Sequence, residues 1–244
     1  MPSDVLVLAL DTSSAGGSAA LVRDGAGVIE RAGDASRTHG ERLPRELMTL
    51  LEEAQATLDA VDRFAVCIGP GSFTGLRVGI ATIQGLALSL HRRVVPVSAF
   101  EALAVNCQLP TPNRHSPTAI WIDAHRGEVF AALYDSTGRE IAPPTAMKPE
   151  ATLDAWSAAL GDVDRIRFAG DGAIRYRDAI VKRLGSAAFI DDAVPLLAGT
   201  IGAIAAAHEE RAVRPHALVP LYVRRSDAEL ARDRRHAAGE PRRT

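Results

Sequence analysis

The chain carries one series of signals twice, and an internal repeat limits the possible architectures more than any single motif does. Asp11 follows Leu8-Ala9-Leu10, and Asp123 follows Trp121-Ile122. Eight residues after each Asp stands Ala-Ala-Leu, at Ala19–Leu21 and at Ala131–Leu133, followed by Asp24-Gly25 in one copy and by Asp135 and Gly138 in the other. Further on, an apolar run ending at Ile68 enters Gly69-Pro70-Gly71, and one ending at Ala169 enters Gly170-Asp171-Gly172. The 244 residues therefore divide into two like units.

Each unit opens on strands. Val5–Leu10, Gly17–Val22 and Gly27–Arg31 are apolar runs separated by Gly and Asp turn signals, which predicts three short strands. Thr38-His39-Gly40-Glu41 matches a capping box, so a helix begins there, with Leu43, Leu47, Leu50, Leu51, Ala54 and Leu58 at helical spacing and Pro44 in the first turn. A strand Phe64–Ile68, a helix Thr74–Leu90, a strand Val94–Val97 and a helix Ser98–Cys107 follow. The proline-rich stretch Leu109–Pro117 continues neither regular structure and marks a connector. Beyond it come strands at Thr118–Ile122, at Glu128–Tyr134 and near Arg139–Ala142, a helix Pro149–Leu160, a strand Arg165–Ala169, and helices Ile174–Leu184 and Val194–Arg211. The expected class is α/β, a duplicated β-β-β-α-β-α with mixed sheets flanked by helices. Its domains are residues 1–108 and 118–223, joined by 109–117 and followed by a tail at 224–244.

Composition removes several functions. With 28 Lys and Arg against 30 Asp and Glu, net charge −2, the surface cannot be a broad cationic field for nucleic acid, so any RNA contact is local or shared with a partner. The longest nearly charge-free stretches, Val78–Leu90 and Val194–Ala207, fall short of the roughly 20 residues of a membrane span. Val5–Leu10 is too short for a signal-peptide core, which points to the cytoplasm. Cys67 and Cys107, each in an apolar context, are expected as core residues and not as a disulfide or thiolate metal site. The tail holds seven Arg and four acidic residues with few core-forming side chains, which suits either a solubilising segment or a weak, salt-sensitive contact with an RNA backbone.

Gly69-Pro70-Gly71-Ser72-Phe73-Thr74-Gly75 places three glycines and two hydroxyls between a strand and a helix N-terminus. Such a loop either turns free N–H groups and the helix dipole toward an anion or is a tight turn in which Ser72 or Thr74 caps the helix. It lacks the Lys of a P-loop and the G-x-S-x-G of a hydrolase elbow. From Val78 to Leu90 the helix bears no charge at all. Small residues at Gly75, Gly79, Ala81, Thr82 and Gly85 would let another helix approach, while Ile80, Ile83, Leu86 and Leu90 fill the core; a helix central to a large monomer would read the same way.

The duplication resembles the actin-like ATPase superfamily, in which two ribonuclease-H-like domains face each other across a nucleotide cleft. That likeness implies that Asp11, Thr12 and Ser13 with Gly69, Pro70, Gly71, Ser72, Thr74 and Gly75, and on the other side Asp123 and Gly170–Gly172, stand where phosphates are approached. Taken together, ALDTSS at 9–14, GPGSFTGLRVG at 69–79, IDAHRGEVF at 122–130 and PLYVR at 220–224 resemble the bacterial TsaB (YeaZ) family over most of the chain. The resemblance implies a non-catalytic subunit that binds and activates the threonylcarbamoyltransferase TsaD, with TsaE, for modification of the adenosine beside the tRNA anticodon. It implies docking through the helices at Arg42–Ala54 and Gly75–Leu88, with Leu43, Leu47, Leu50, Leu51, Arg77, Ile80, Ala81, Gln84 and Leu88 as interface residues, ATP or ADP only at that interface, and a homodimer through the same surface when the partner is absent. His125 and Phe130 stand where the family has Arg and Tyr, which weakens a phosphate role for that loop.

In the catalytic paralogue of that superfamily, a His-x-x-x-His pair on the first long helix holds a metal. Here Leu43 stands four residues after His39, and His115, His125, His208, His216 and His236 are scattered, so no metal ligand set is expected. The alternative functions are an independent ATP-dependent small-molecule kinase, which needs Asp11 and Asp123 in one cleft with Mg²⁺, and a stand-alone peptidase, which the missing pair disfavours.

Overall fold

In the first strand, β1 (Leu6–Asp11), alternate side chains point to opposite sides, and both sides are covered. Leu6, Leu8 and Leu10 enter an outer core with the leucines of a helix, while Val7 and Ala9 enter an inner core shared by both halves of the molecule. The structure, a computed structural model, describes residues 5–23, 27–108, 116–160 and 163–224.

The first half comprises β1, β2 (Ser18–Arg23), β3 (Gly27–Ala32), α1 (His39–Glu53), β4 (Arg63–Gly69), α2 (Phe73–Ser89), β5 (Val94–Ser98) and α3 (Ala99–Gln108). The second comprises β6 (Thr118–Asp123), β7 (Val129–Tyr134), β8 (Glu140–Met147), α4 (Pro149–Leu160), β9 (Ile166–Ala169), α5 (Asp171–Arg175), α6 (Arg177–Leu184), β10 (Ala188–Ile190) and α7 (Ala198–Ala207). The sheet orders are β3-β2-β1-β4-β5 and β8-β7-β6-β9-β10. In each, three antiparallel strands continue into two parallel ones. The repeated signals thus fold into one topology twice.

The two sheets face each other across the inner core, to which they give small side chains, Ala9, Ala20, Ala65, Cys67, Ala132 and Ala169, beside larger ones such as Ile120, Phe130 and Tyr134. Small side chains leave room for helices, and α3 and α7 occupy it. Each is tied at its C-terminal turn by an arginine from the half it does not follow in sequence. Arg63 on β4 donates to the Ala205 carbonyl of α7 at 2.7 Å, and Arg167 on β9 donates to the Cys107 carbonyl of α3 at 2.9 Å. A cation at a helix C-terminus satisfies orphaned carbonyls and opposes the helix dipole.

Several expectations are corrected. Pro44 lies in the second turn of α1, not the first, and the Gly40 carbonyl it leaves without a helical donor belongs to an exposed residue that water reaches. The helix expected at Ile174–Leu184 starts at Asp171 and breaks at Tyr176, and β10 follows it. Strand β8 runs through Pro143-Pro144 to Met147, which an edge strand tolerates. The helix expected over Val194–Arg211 is only Ala198–Ala207, because its start is fixed from afar: Ser18 Oγ accepts the Leu197 and Ala198 N–H groups, and Glu30 accepts that of Gly199.

The boundary of the second domain also moves. α7 packs on β1, β2 and β4; Val213 pairs with Val94, and Leu218 lies in the outer core of the first half. Residues 198–222 therefore complete the first half in space. Residues 109–115 of the expected connector and 225–244 of the expected tail lie outside the described residues. Among the described residues no helix is long and apolar enough to cross a membrane.

Candidate functional site

At the C-terminal end of β1 the chain turns through Asp11, Thr12 and Ser13 beneath the N-terminus of α2. Ser72 caps α2, its hydroxyl accepting the Gly75 N–H at 3.2 Å, while its own N–H donates to the Ser13 carbonyl at 2.7 Å. The two loops are in backbone contact, and α2 lies so close that a Cβ on Gly75 would meet the Thr12 carbonyl oxygen at 2.3 Å and one on Gly79 would meet Thr12 Oγ1 at 2.1 Å. These two glycines serve contact inside the domain. The expectation that they open α2 to another helix is corrected; Ala81 and Gly85 are the small residues on its exposed side.

Asp11 is buried, and its Oδ1 accepts the Ser13 N–H at 2.8 Å. Burial raises its pKa above the usual carboxylate value, outweighing the hydrogen bonds that lower it. The same burial holds the neighbouring Cys67 thiol protonated. Thr12 is fully covered, and its Oγ1 has no partner.

A cavity of about 500 Å³ opens between the halves. Its first-half wall is Pro70, Gly71, Ser72, Phe73 and Thr74, and its second-half wall is the turn at Asp123–Arg126 with Phe130. Of the residues expected near phosphates, Asp11, Thr12, Ser13, Gly69 and Gly75 do not line it. Asp123 is engaged by Arg175 at 3.2 Å and by the His125 N–H at 3.1 Å. Among the described residues no three His, Cys, Asp or Glu side chains are grouped to hold a metal ion. The cavity is thus bounded by the Pro70–Thr74 rim of one half and the Asp123–Arg126 turn of the other, while the carboxyl of Asp11 lies buried outside it and accepts from Ser13.

The third wall is the strap Leu221–Arg224, the end of the PLYVR motif. Leu221 N–H donates to the Ile68 carbonyl at 2.8 Å, and Arg224 pairs with Glu128 of the second half at 2.9 Å. Between them the rings of Tyr222 and Phe73 meet at a 34° tilt with centroids 5.6 Å apart, and the Arg77 guanidinium lies over the Phe73 ring, 3.8 Å from its centroid, while donating to Tyr222 Oη at 3.3 Å. The sequence reading missed Phe73 and Tyr222 as site residues; the motif match at 220–224 was the signal that could have found Tyr222.

The two helices expected to dock a partner present a divided set. Leu43, Leu47, Leu50, Leu51 and Ile80 are buried in the outer core of their own domain, so they are corrected from contact residues to packing residues. Arg77, Ala81 and Leu88 are exposed and Gln84 is partly so, its side chain donating to the Pro215 carbonyl at 2.9 Å. Met48 on α1, 52% exposed, and Leu88, 53% exposed, are large apolar side chains left in solvent. From Val78 to Ser89 that outer side carries no charge.

His39 joins α1, α2 and the loop after β1. Glu41 fixes the helix start by accepting the Thr38 N–H at 2.9 Å. On the next residue, His39 Nε2 donates to the Ser14 carbonyl at 3.0 Å and Nδ1 accepts from Arg42. Arg42 is itself buried, bonded to the Ala15 and Gly16 carbonyls and to Glu46. Burial and the Arg42 cation hold the His39 pKa below the usual imidazole value.

Comparison with known proteins follows the same lines. A family model described as TsaD, tRNA N6-adenosine threonylcarbamoyltransferase, matches residues 21–231. A relative from Bacillus subtilis, "tRNA threonylcarbamoyladenosine biosynthesis protein TsaB", is 29% identical over 229 residues, 91% of this chain and 96% of that one. The solved YeaZ of Pseudomonas aeruginosa is 30% identical with TM-score 0.72, covering 89% of this chain and 99% of that one. A dehydratase activator from Clostridium difficile, solved with bound ADPNP, matches at TM-score 0.50 and 11% identity over 85% and 96% of the two chains, a likeness of fold alone.

Proposed function

This chain belongs to the TsaB (YeaZ) family, and on that premise we propose that it is a non-catalytic subunit in tRNA threonylcarbamoyladenosine biosynthesis, docking on TsaD and activating it together with TsaE. The observation that carries the reading is the outer side of α2, where Ala81, Gly85 and Leu88 stand exposed and uncharged on a helix whose opposite side is core. Small side chains allow a partner helix to come close, and Leu88 with Met48 supplies apolar area. Docking that is tighter to the active arrangement of TsaD shifts its population toward that arrangement. The same face serves a homodimer when TsaD is absent.

The histidine supports a role without chemistry of its own, because both ring nitrogens of His39 are engaged by Ser14 and Arg42. The rival reading, an independent small-molecule kinase, needs Asp11 at the phosphates, whereas its carboxyl is buried and bonded to Ser13. ATP or ADP of the complex would meet this chain at the Pro70–Thr74 rim, and tRNA would be reached through the complex, in the cytoplasm. The test is the affinity of TsaD for Leu88→Glu and Ala81→Glu. Each should weaken binding by about tenfold or more with an unchanged melting temperature, as expected for truncated or charged central contacts. Unchanged affinity in both would overturn the docking face.

A further inference from the structure

His39, the first residue of α1, reaches both the start of α2 and the loop after β1. Its ring leaves no space beside α2: a Cβ on Gly75 would stand 3.0 Å from both Cδ2 and Nε2. Its two nitrogens play opposite parts, Nε2–H donating to Ser14 and Nδ1 accepting from Arg42. Only the neutral imidazole can do both, since a protonated ring would turn a second N–H toward a guanidinium. We propose that His39 is a positioning residue for the docking face of α2, a latch that is closed while the ring is neutral and that opens when it takes a proton.

The surroundings determine what protonation would do. On α1 the charges acting on the ring are Arg42 and Glu46; from β1 it is Asp11, to which Cys67 of β4 is hydrogen-bonded; on α2 the ring lies beside Gly75. Arg42 cannot withdraw easily, because its guanidinium is buried against the Ala15 and Gly16 carbonyls and Glu46. The Glu46 carboxylate is already paired with Arg42, and Asp11 is held by Ser13. A proton on His39 therefore displaces either the ring or the arginine. Both movements free the Ser13–Gly17 loop, and with it the Ser13 carbonyl that anchors the Ser72 N–H at the head of α2. The latch is a property of this chain alone; its effect on the partner rests on the docking reading above.

The experiment is amide hydrogen exchange on the full chain at about pH 7.5 and at a lower pH where nitrogen NMR of the wild type shows the His39 ring protonated, corrected for intrinsic rates, with TsaD affinity measured in parallel. In the wild type, protection of residues 13–17 and 72–79 should fall by about tenfold at the lower pH relative to β4. His39→Gln, whose amide can donate to Ser14 and accept from Arg42 without titrating, should keep protection at both values, and His39→Ala should lose it at both. Nitrogen NMR of the wild type should show the Nε2–H tautomer at the higher pH, a readout that needs no variant. Equal wild-type protection at the two pH values, or the same pH dependence in His39→Gln, would overturn the latch. If exchange behaves as expected while TsaD affinity stays flat, the latch stands and the docking of α2 on TsaD is what fails.

Discussion

Two glycines on α2 show how opposite effects follow from one residue type. Alanine normally gains about 1 kcal/mol over glycine inside a helix, because glycine loses more backbone entropy on folding. At Gly85 a Cβ meets nothing within 4 Å, so Gly85→Ala should raise stability by about 0.5–1 kcal/mol. At Gly79 the Cβ would collide with Thr12, so Gly79→Ala should lower stability by about 1–3 kcal/mol despite the same propensity gain. Denaturant midpoints of the pair decide it. Two buried titrating groups act in opposite directions. The His39 pKa is lowered on folding, so below about pH 6.5 the unfolded chain takes up the proton first and stability falls as pH is lowered toward the folded value. The Asp11 pKa is raised, so its contribution is greatest at low pH and is lost as pH rises from 3.8 through the folded value. Asp11→Asn, which keeps an acceptor for Ser13, should therefore raise the thermal midpoint at neutral pH by a few degrees, and the midpoint against pH measures it. Gly79 and Gly85 were legible as small positions of a helix that could let another approach, but which side of α2 each would face was not, because an uncharged helix has no polar stripe to orient it.

The elements were legible where their causes are local. The capping pair Thr38 and Glu41 starts α1 at the expected residue, and its leucine spacing gives its buried side. Those leucines are core, so Leu50→Ala should cost about 2–5 kcal/mol with any loss of TsaD binding following from unfolding. Leu88→Glu should do the reverse, binding lost and stability kept, and thermal melts alongside binding separate the two. The start of α7 was not legible, because its caps are Ser18 and Glu30, 169 to 180 residues earlier in the chain. The same holds for β10, three residues long, whose partner β9 and not its own composition makes it a strand.

At the scale of the molecule the repeat was legible and the exchange of helices was not. Each sheet follows the same strand order, as the paired Asp, Ala-Ala-Leu and glycine signals imply. Nothing local says that α7 and the chain to Tyr222 complete the first half, because that follows from small inner-face side chains in distant strands and from Arg63 reaching Ala205. Residues 1–108 alone should therefore fail to fold cooperatively, and a chain ended before Ala198 should lose amide-exchange protection across β1, β2 and β4, on which α7 packs. If residues 1–108 melt cooperatively by themselves, the exchanged architecture is not what stabilises them. On the proposed reading, this chain acts through a partner. The most direct measurement is modified adenosine formed from tRNA and threonylcarbamoyl-adenylate by the organism's TsaD and TsaE, with and without this chain. Modification that requires the chain, with no turnover by the chain alone, is the predicted result; equal modification without it would contradict the account.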